Sequence, residues 1–409
     1  MRVSGKIVES RRDLIPGLPE ELAMECLVRV PFEFHSSMNT VCRSWRSLIS
    51  DPSFNMERRR FGKAESLLCL VQPLTSPSPV NPPIDGEVSE KKKEEEGESQ
   101  QRQQQQPRVI GTPLYGLSVY NATLDTWHRV AIPERIPLFC ECVALQDAGK
   151  VLLIGGWDPD TLQPVPDVFV LDFLAGEGSG RRWRRGKPMS AARSFFACAS
   201  VGSTKVYVAG GHDDQKNALR SAEVYDVEKD EWSTIPPMAE GRDECHGFPM
   251  ANHLGFCVLS GYGTETQGRF RSDAEVYDPI SNSWSTIENV WPFPELSPRG
   301  RTAASPESAG DFRGCRLWCF VDSERQSEPR WEIEDDSMKW KVVMETVRLP
   351  VTTMTSIFAG SLSGQAVAMI GGGGEESGTM MKKNGGKWSH VNTPSGFSSL
   401  PFSYSSIYV

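Results

Sequence analysis

The 409-residue chain has no uninterrupted apolar run of eighteen residues, so no membrane-crossing helix is read from it. Basic residues near its beginning are not followed by an apolar signal core, so no secretory leader is expected. Positive charge is in deficit: 44 Lys and Arg against 53 Asp and Glu leave a net charge of −9, which argues against broad nucleic-acid binding. The six histidines are scattered, and no His-x-x-x-His pair or nucleophile–base pair is readable. The run Gly371–Gly374 lacks the Gly-Lys-Ser/Thr ending of a phosphate loop, and Gly385–Ser389 also fails that pattern. The ten cysteines lie mostly inside apolar stretches, with no second pair at zinc-finger spacing. A reduced, intracellular protein in the cytoplasm or nucleus is expected, with no metal, no other cofactor and no membrane or nucleic-acid partner.

What the chain does have is a repeat. Trp127, Trp183, Trp232, Trp284, Trp340 and Trp388 recur at steps of 48 to 56 residues. A period close to fifty marks a propeller or solenoid. The clearest unit runs Lys205–Gly211 (KVYVAGG), Ala222–Asp226 (AEVYD), then Glu231 and Trp232. Its neighbours carry Lys150–Gly156 with Asp167–Asp172, and Phe256–Gly261 with Ala274–Asp278. Short runs rich in Val, Ile and Leu, stopped by glycine, read as buried strands with turns after them. Four such strands per unit, repeated radially, make the blades of a β-propeller. Six blades are expected, with each Trp filling a gap between neighbours. The C-terminal Pro401–Val409 reads like the first strand of a blade, which the first unit lacks. It is expected to complete that unit and close the ring, removing free sheet edges.

The beginning of the chain reads differently. Residues 20–30 place apolar side chains at 22, 26, 27 and 30 on one helical face, behind Pro19 and before Pro31. A second helix is predicted to carry Met38, Val41, Cys42, Trp45, Leu48 and Ile49, ending at Asp51-Pro52. About forty residues make a marginal core, so this segment reads either as a cap on the propeller or as a docking module for a partner. The expected divisions are a tail at 1–13, helices at 14–60, and the propeller at 65–409. A charged, glutamine-rich, disordered insertion is expected at 78–110.

The glycine pair, Tyr-Asp and spaced Trp resemble the kelch repeat. Leu18–Leu22, Cys26–Pro31 and Val41–Ile49 (VCRSWRSLI) resemble an F-box. Together they are similar to the plant F-box/kelch-repeat family, whose fold is a small all-α F-box domain followed by a mainly β, six-bladed kelch propeller. The resemblance implies a non-enzymatic substrate-recognition subunit of an SCF-type ubiquitin ligase. Leu14, Pro16, Leu18, Pro19, Leu22, Cys26, Leu27, Val41 and Trp45 would dock on a Skp-family adaptor, and through it on a cullin–RING ligase. The propeller would hold a protein substrate; members of the family direct degradation of phenylalanine ammonia-lyase or of hormone-response regulators. In kelch propellers the loops before the first strand and after the glycine turn share one face. That places Trp157, Arg193, His212, Asp213, Arg242, Tyr262 and Arg301 on the expected substrate face, unless the arginines instead bond blade carbonyls. Two alternatives stand beside this reading: a kelch scaffold without a ubiquitin role, and a kelch-fold metalloenzyme.

Overall fold

The computed structural model describes residues 14–74, 114–173, 183–250, 255–304, 314–321, 341–350, 356–371 and 378–409. The expected tail, the insertion at 78–110 and Trp340 lie outside these residues. Four helices come first: α1 Glu20–Leu27, α2 His35–Val41, α3 Arg43–Ile49 and α4 Pro52–Arg60. The single helix read across Met38–Ile49 is two, because Cys42 is extended (φ −157°, ψ 169°). The β-branched Thr40 and Val41 weaken the helix just before this break. The Cys42 sulfur then accepts from the Trp45 backbone N–H and starts α3. Asp51 ends one helix and opens the next, accepting from Ser53 N at 2.9 Å with Pro52 in the first turn. Leu27, Val28, Met38, Ile49 and Phe54 form the core of this helical module, with Trp45 and Leu14 packed beside them.

The strands build six sheets around one axis. The first blade holds β1 Ser66–Pro73, β2 Tyr115–Asn121 and β3 Thr126–Val130. The second holds β4 Glu141–Leu145, β5 Lys150–Ile154, β6 Val168–Asp172 and β7 Trp183–Gly186. The third holds β8 Ala197–Val201, β9 Lys205–Ala209, β10 Ala222–Asp226 and β11 Glu231–Ile235. The fourth holds β12 His246–Pro249, β13 Phe256–Leu259, β14 Ala274–Asp278 and β15 Ser283–Ile287. The fifth has β16 Thr302–Ala304, β17 Gly314–Val321 and β18 Lys341–Arg348. The sixth has β19 Ser356–Leu362, β20 Gln365–Gly371, β21 Gly378–Asn384 and β22 Lys387–His390. The last strand, β23 Ser403–Tyr408, pairs antiparallel with β1 and makes the first blade four-stranded.

Both faces of each blade are covered by neighbours, which is why its middle strands are nearly continuous apolar runs. Val206 and Val208 pack toward Leu152 and Ile154 of blade two. Tyr207 and Ala209, pointing the other way, pack toward Phe256 and Val258 of blade four. Burial of each such valine is worth about 1.5–3 kcal/mol. Blade five departs from the four-stranded expectation, with three strands among the described residues. Its β17 and β18 pair in parallel, from Gly314 with Lys341 to Val321 with Arg348. Parallel neighbours need a long crossover, and residues 322–340 separate the two.

Two recurring bonds explain the repeat. The described indoles of the repeat donate to a backbone carbonyl of the preceding blade: Trp183 to Ala131, Trp232 to Lys187, Trp284 to Pro236 and Trp388 to Arg348. Trp127 donates to Asn392 and so carries the pattern across the closure. Within a blade, the tyrosine hydroxyl reaches five residues on: Tyr120 to Asp125, Tyr225 to Asp230, Tyr277 to Asn282. The same tyrosines pack on Trp127, Trp232 and Trp284 at 4.9, 4.9 and 5.3 Å between centroids.

The helical module is fastened to blades one and two. Phe32 packs on Phe173 at 5.6 Å. Arg59 donates to Gln146 O at 2.8 Å, and Asn55 to Tyr408 O at 3.4 Å. Gln146 and Tyr408 lie where β4 and β23 end, so the module covers the face at which these inner strands finish.

Two histidines, His35 buried and His246 half-buried, make the fold sensitive to acid. Burial, then the nearby Arg58, lowers His35 from 6.5 to about 4. Burial lowers His246 to about 4 as well. The unfolded chain therefore takes up protons that the native one refuses. This contribution is complete above pH 6.5 and is lost as pH falls toward 4. At pH 5 it amounts to roughly 2 kcal/mol per histidine. Urea midpoints measured at pH 7.5 and pH 5.0 should show the loss, and His246→Gln should shrink it by about half. A midpoint independent of pH over that window would contradict the assignment.

Candidate functional site

Two surfaces stand out, on opposite sides of the molecule. On the helical module, Leu18, Leu22 and Val41 are 37, 50 and 60 % exposed, although the module's own core is filled. Pro16, Pro19 and Cys26 are also exposed. Phe34 and Met56, which the sequence reading did not single out, are 50 and 62 % exposed. Leu14 and Trp45 are half-buried and joined, Trp45 Nε1 donating to Leu14 O at 2.6 Å. Leu27 needs correction as a docking residue: it is 2 % exposed and belongs to the module's core. It lies five positions beyond Leu22, which carries it round from the exposed side of α1.

The second surface lies where the inner strands begin. Three isolated bridges join the two loop types there: Leu138 with Trp157, Ser194 with His212, and Asp243 with Tyr262. The loops thus share one face, but the residues expected on it divide. Arg193 and Arg242 are 0 % exposed and are corrected to structural residues. Arg193 donates to Gly210 O at 2.9 Å, Ser221 O at 3.0 Å and Glu223 Oε1 at 3.0 Å. Arg242 meets Asp273 at 2.6 Å and Glu275 at 3.0 Å. His212 is buried between Asp243, 2.9 Å from its Nδ1, and Lys216, 3.0 Å from its Nε2. Tyr262 is buried and donates to Glu244 at 3.2 Å. Burial, then Asp243, raises the Glu244 carboxyl above its ordinary value. Asp213 is half-buried and caps its own loop, accepting from Gln215 N and Asn217 N at 2.9 Å each. Trp157 and Arg301 are half-buried.

The centre of this face is built by residues the sequence reading missed. Phe139, Phe195 and Phe402 ring the entrance to the axial channel, each half-buried. Phe139 and Phe195 hold φ of 58° and 55°. A left-handed backbone costs a bulky residue about 1–2 kcal/mol. Beneath them Arg299 crosses the channel, donating to Phe196 O at 2.9 Å, to Cys245 O at 2.7 Å and to the Glu141 carboxylate. Burial lowers the Arg299 pKa to about 9, which leaves it charged at neutral pH. Below it the inner strands of all six blades enclose a cavity of about 230 Å³. Among the described residues, no group of three or more His, Cys, Asp or Glu is placed to hold a metal. Both surfaces present apolar or aromatic groups with polar surroundings, an arrangement suited to protein recognition.

Comparison with known proteins bears on both surfaces. The F-box domain family matches residues 15–57, and the Kelch motif matches residues 192–239. The F-box/kelch-repeat protein SKIP20 of Arabidopsis thaliana is 83 % identical, covering 98 % of this chain and 98 % of the relative. The chain belongs to the F-box/kelch-repeat protein family. A second Arabidopsis thaliana member, F-box/kelch-repeat protein At2g44130, is 63 % identical over 97 % of this chain and 96 % of its own. A more distant one, At1g80440, is 34 % identical over 74 % of this chain. As an F-box/kelch-repeat protein, the chain is an F-box substrate adapter: its helical module is the F-box and its six-bladed propeller is the kelch domain. An F-box implies a Skp-type adaptor as partner, and a kelch propeller implies a protein substrate. No described helix is long and apolar enough to cross a membrane.

Proposed function

We propose that this F-box/kelch-repeat protein is the substrate-recognition subunit of an SCF-type ubiquitin ligase in the cytoplasm or nucleus. The observation that carries this reading is the exposure of Leu18, Leu22 and Val41 on a module that needs none of them for its own core. A partner that covers them removes apolar surface worth about 25 cal/mol per Å². The propeller would hold the target on its far face, at the loop clusters around Trp157 and His212. The chain itself performs no chemistry in this account. It brings a target lysine and a charged ubiquitin carrier together, and the rate gain comes from proximity and orientation. Arg58, Glu65 and Phe32 set the F-box firmly on the propeller, so the distance between the two surfaces is fixed.

The family resemblance makes phenylalanine ammonia-lyase the first target to try. Co-expression with the intact chain should shorten that enzyme's half-life several-fold. Proteasome inhibition should restore it, and so should Leu18→Asp combined with Leu22→Asp. A half-life unmoved by the intact chain would overturn the choice of this enzyme. A shortened half-life that the double variant reproduces would overturn the ligase mechanism.

A further inference from the structure

The substrate face has a chemical character that narrows what it can hold. At its centre Phe139 and Phe402 lie 5.0 Å apart, Phe195 and Phe402 5.4 Å, and Phe139 and Phe195 5.5 Å. Trp157 extends the cluster, 5.4 Å from Phe139. These rings come from three blades, and all are half-buried. Two of them sit on left-handed backbone, which Glu244 shares at the matching place in blade four. The Arg299 guanidinium lies 5.2 and 5.8 Å from the Phe402 and Phe195 rings and fixes the cluster from below. The outcome is a pre-set aromatic platform rather than a collapsed plug.

Its surroundings are acidic. The two loops beside it, residues 157–164 and 212–218, carry Asp158, Asp160, Asp213 and Asp214 against Lys216, with Asp160 paired to Arg135 at 2.7 Å. Asp158 and Asp213 are both held below the ordinary carboxylate value, and Asp214 is exposed. Trp157 already takes a cation on its face: Lys216 Nζ is 3.8 Å from its ring centroid. A tryptophan face beside carboxylates favours a positive group.

We infer that the centre of this face holds a target segment in which an aromatic or large aliphatic side chain is flanked by lysine or arginine. The apolar side chain would sit on Phe195 and Phe402, and the flanking cations would meet the Asp214 side of the rim. This inference rests on the reading that targets dock on this face.

The test uses the full chain co-expressed with a Skp-family adaptor and three labelled peptides. One has a central tryptophan between lysines and arginines. The second has the same tryptophan between glutamates, and the third keeps the basic residues but has alanine at the centre. The first should bind at least tenfold more tightly than either control, and added salt should weaken it. Asp214→Lys, at an exposed position, should weaken it about fivefold without moving the melting temperature. Phe195→Ala should weaken it more than tenfold, with the melting temperature reporting any loss of fold. Equal binding of the glutamate or alanine peptide, or no binding above those controls, overturns the inference. Adaptor recovery is scored on the same preparations. Recovery without peptide preference sinks this inference alone, and preference without recovery sinks the ligase reading alone.

Discussion

Replacing Glu65 by alanine is expected to destabilise the junction between F-box and propeller by about 3–5 kcal/mol, the usual cost of removing one partner of a buried ion pair. Glu65 is 3 % exposed. One of its carboxylate oxygens accepts from Arg58 at 2.8 Å and from Phe32 N at 2.6 Å, and the other accepts from Asn121 at 2.6 Å. Its backbone pairs with that of Val409. It therefore ties α4, the segment before α2, the first blade and the C-terminal strand. Without it, Arg58, 1 % exposed, keeps a buried charge that only the Val28 and Val30 carbonyls and His35 face. The F-box is too small to hold together alone, so its helices should melt first and a single transition should become two. Thermal scans followed by far-ultraviolet circular dichroism and by tryptophan fluorescence would show this. Arg58→Met together with Glu65→Leu should recover much of the loss, since an apolar pair of similar volume needs no compensation. A loss under 1 kcal/mol for Glu65→Ala would contradict the account.

The second large effect is expected at Arg242. Alanine there would strand Glu275, which is 1 % exposed, leave the 6 % exposed Asp273 with Arg271 alone at 2.9 Å, and leave Ser260 O without its 2.9 Å donor. The buried Glu275 carboxylate then faces no cation and Asp273 faces only Arg271, and about 3–5 kcal/mol should be lost. Lysine should rescue only part of this, because one ammonium cannot reproduce the fork that meets both carboxylates. Arg193→Ala removes the same kind of contact with the single carboxylate Glu223, and a slightly smaller loss is expected. Guanidinium unfolding would measure all three. The fraction that remains folded should still capture target, because neither guanidinium reaches the surface. A variant that stays fully stable yet loses target would restore Arg242 to the binding face.

Much of this architecture is legible in the sequence, and the reasons are physical. The strands at Lys205–Ala209 and Ala222–Asp226 announce themselves because both faces are buried and glycine or aspartate ends each run. The tryptophans announce themselves because, in each blade whose repeat indole is described, that indole reaches the blade before it. The closing strand was legible because Ser403–Tyr408 follows a complete sixth unit and the first unit lacks a partner. The site was less legible. Arginine before a strand reads the same whether it faces solvent or a carboxylate, and the carboxylates that bury Arg193 and Arg242 lie 30 to 33 positions away. Arg299 and Arg301 stand two apart in blade five, and only the strand register decides that Arg299 enters the channel. Phe195 carried a signal that could have been used: it follows Arg193 by two positions, as Glu244 follows Arg242. Both take positive φ, at 55° and 51°. In the F-box, helical spacing grouped Leu22 with Leu27, but the packing of Ile49 and Phe54 sends only Leu27 inside.

The most direct measurement is recovery of a Skp-family adaptor with the intact chain and with the Leu18→Asp, Leu22→Asp variant. The account predicts a stable one-to-one complex for the intact chain. It predicts none for the variant, with both proteins unfolding at the same temperature because neither leucine supports the core. No complex with a properly folded intact chain, or an equal complex with the variant, would contradict it.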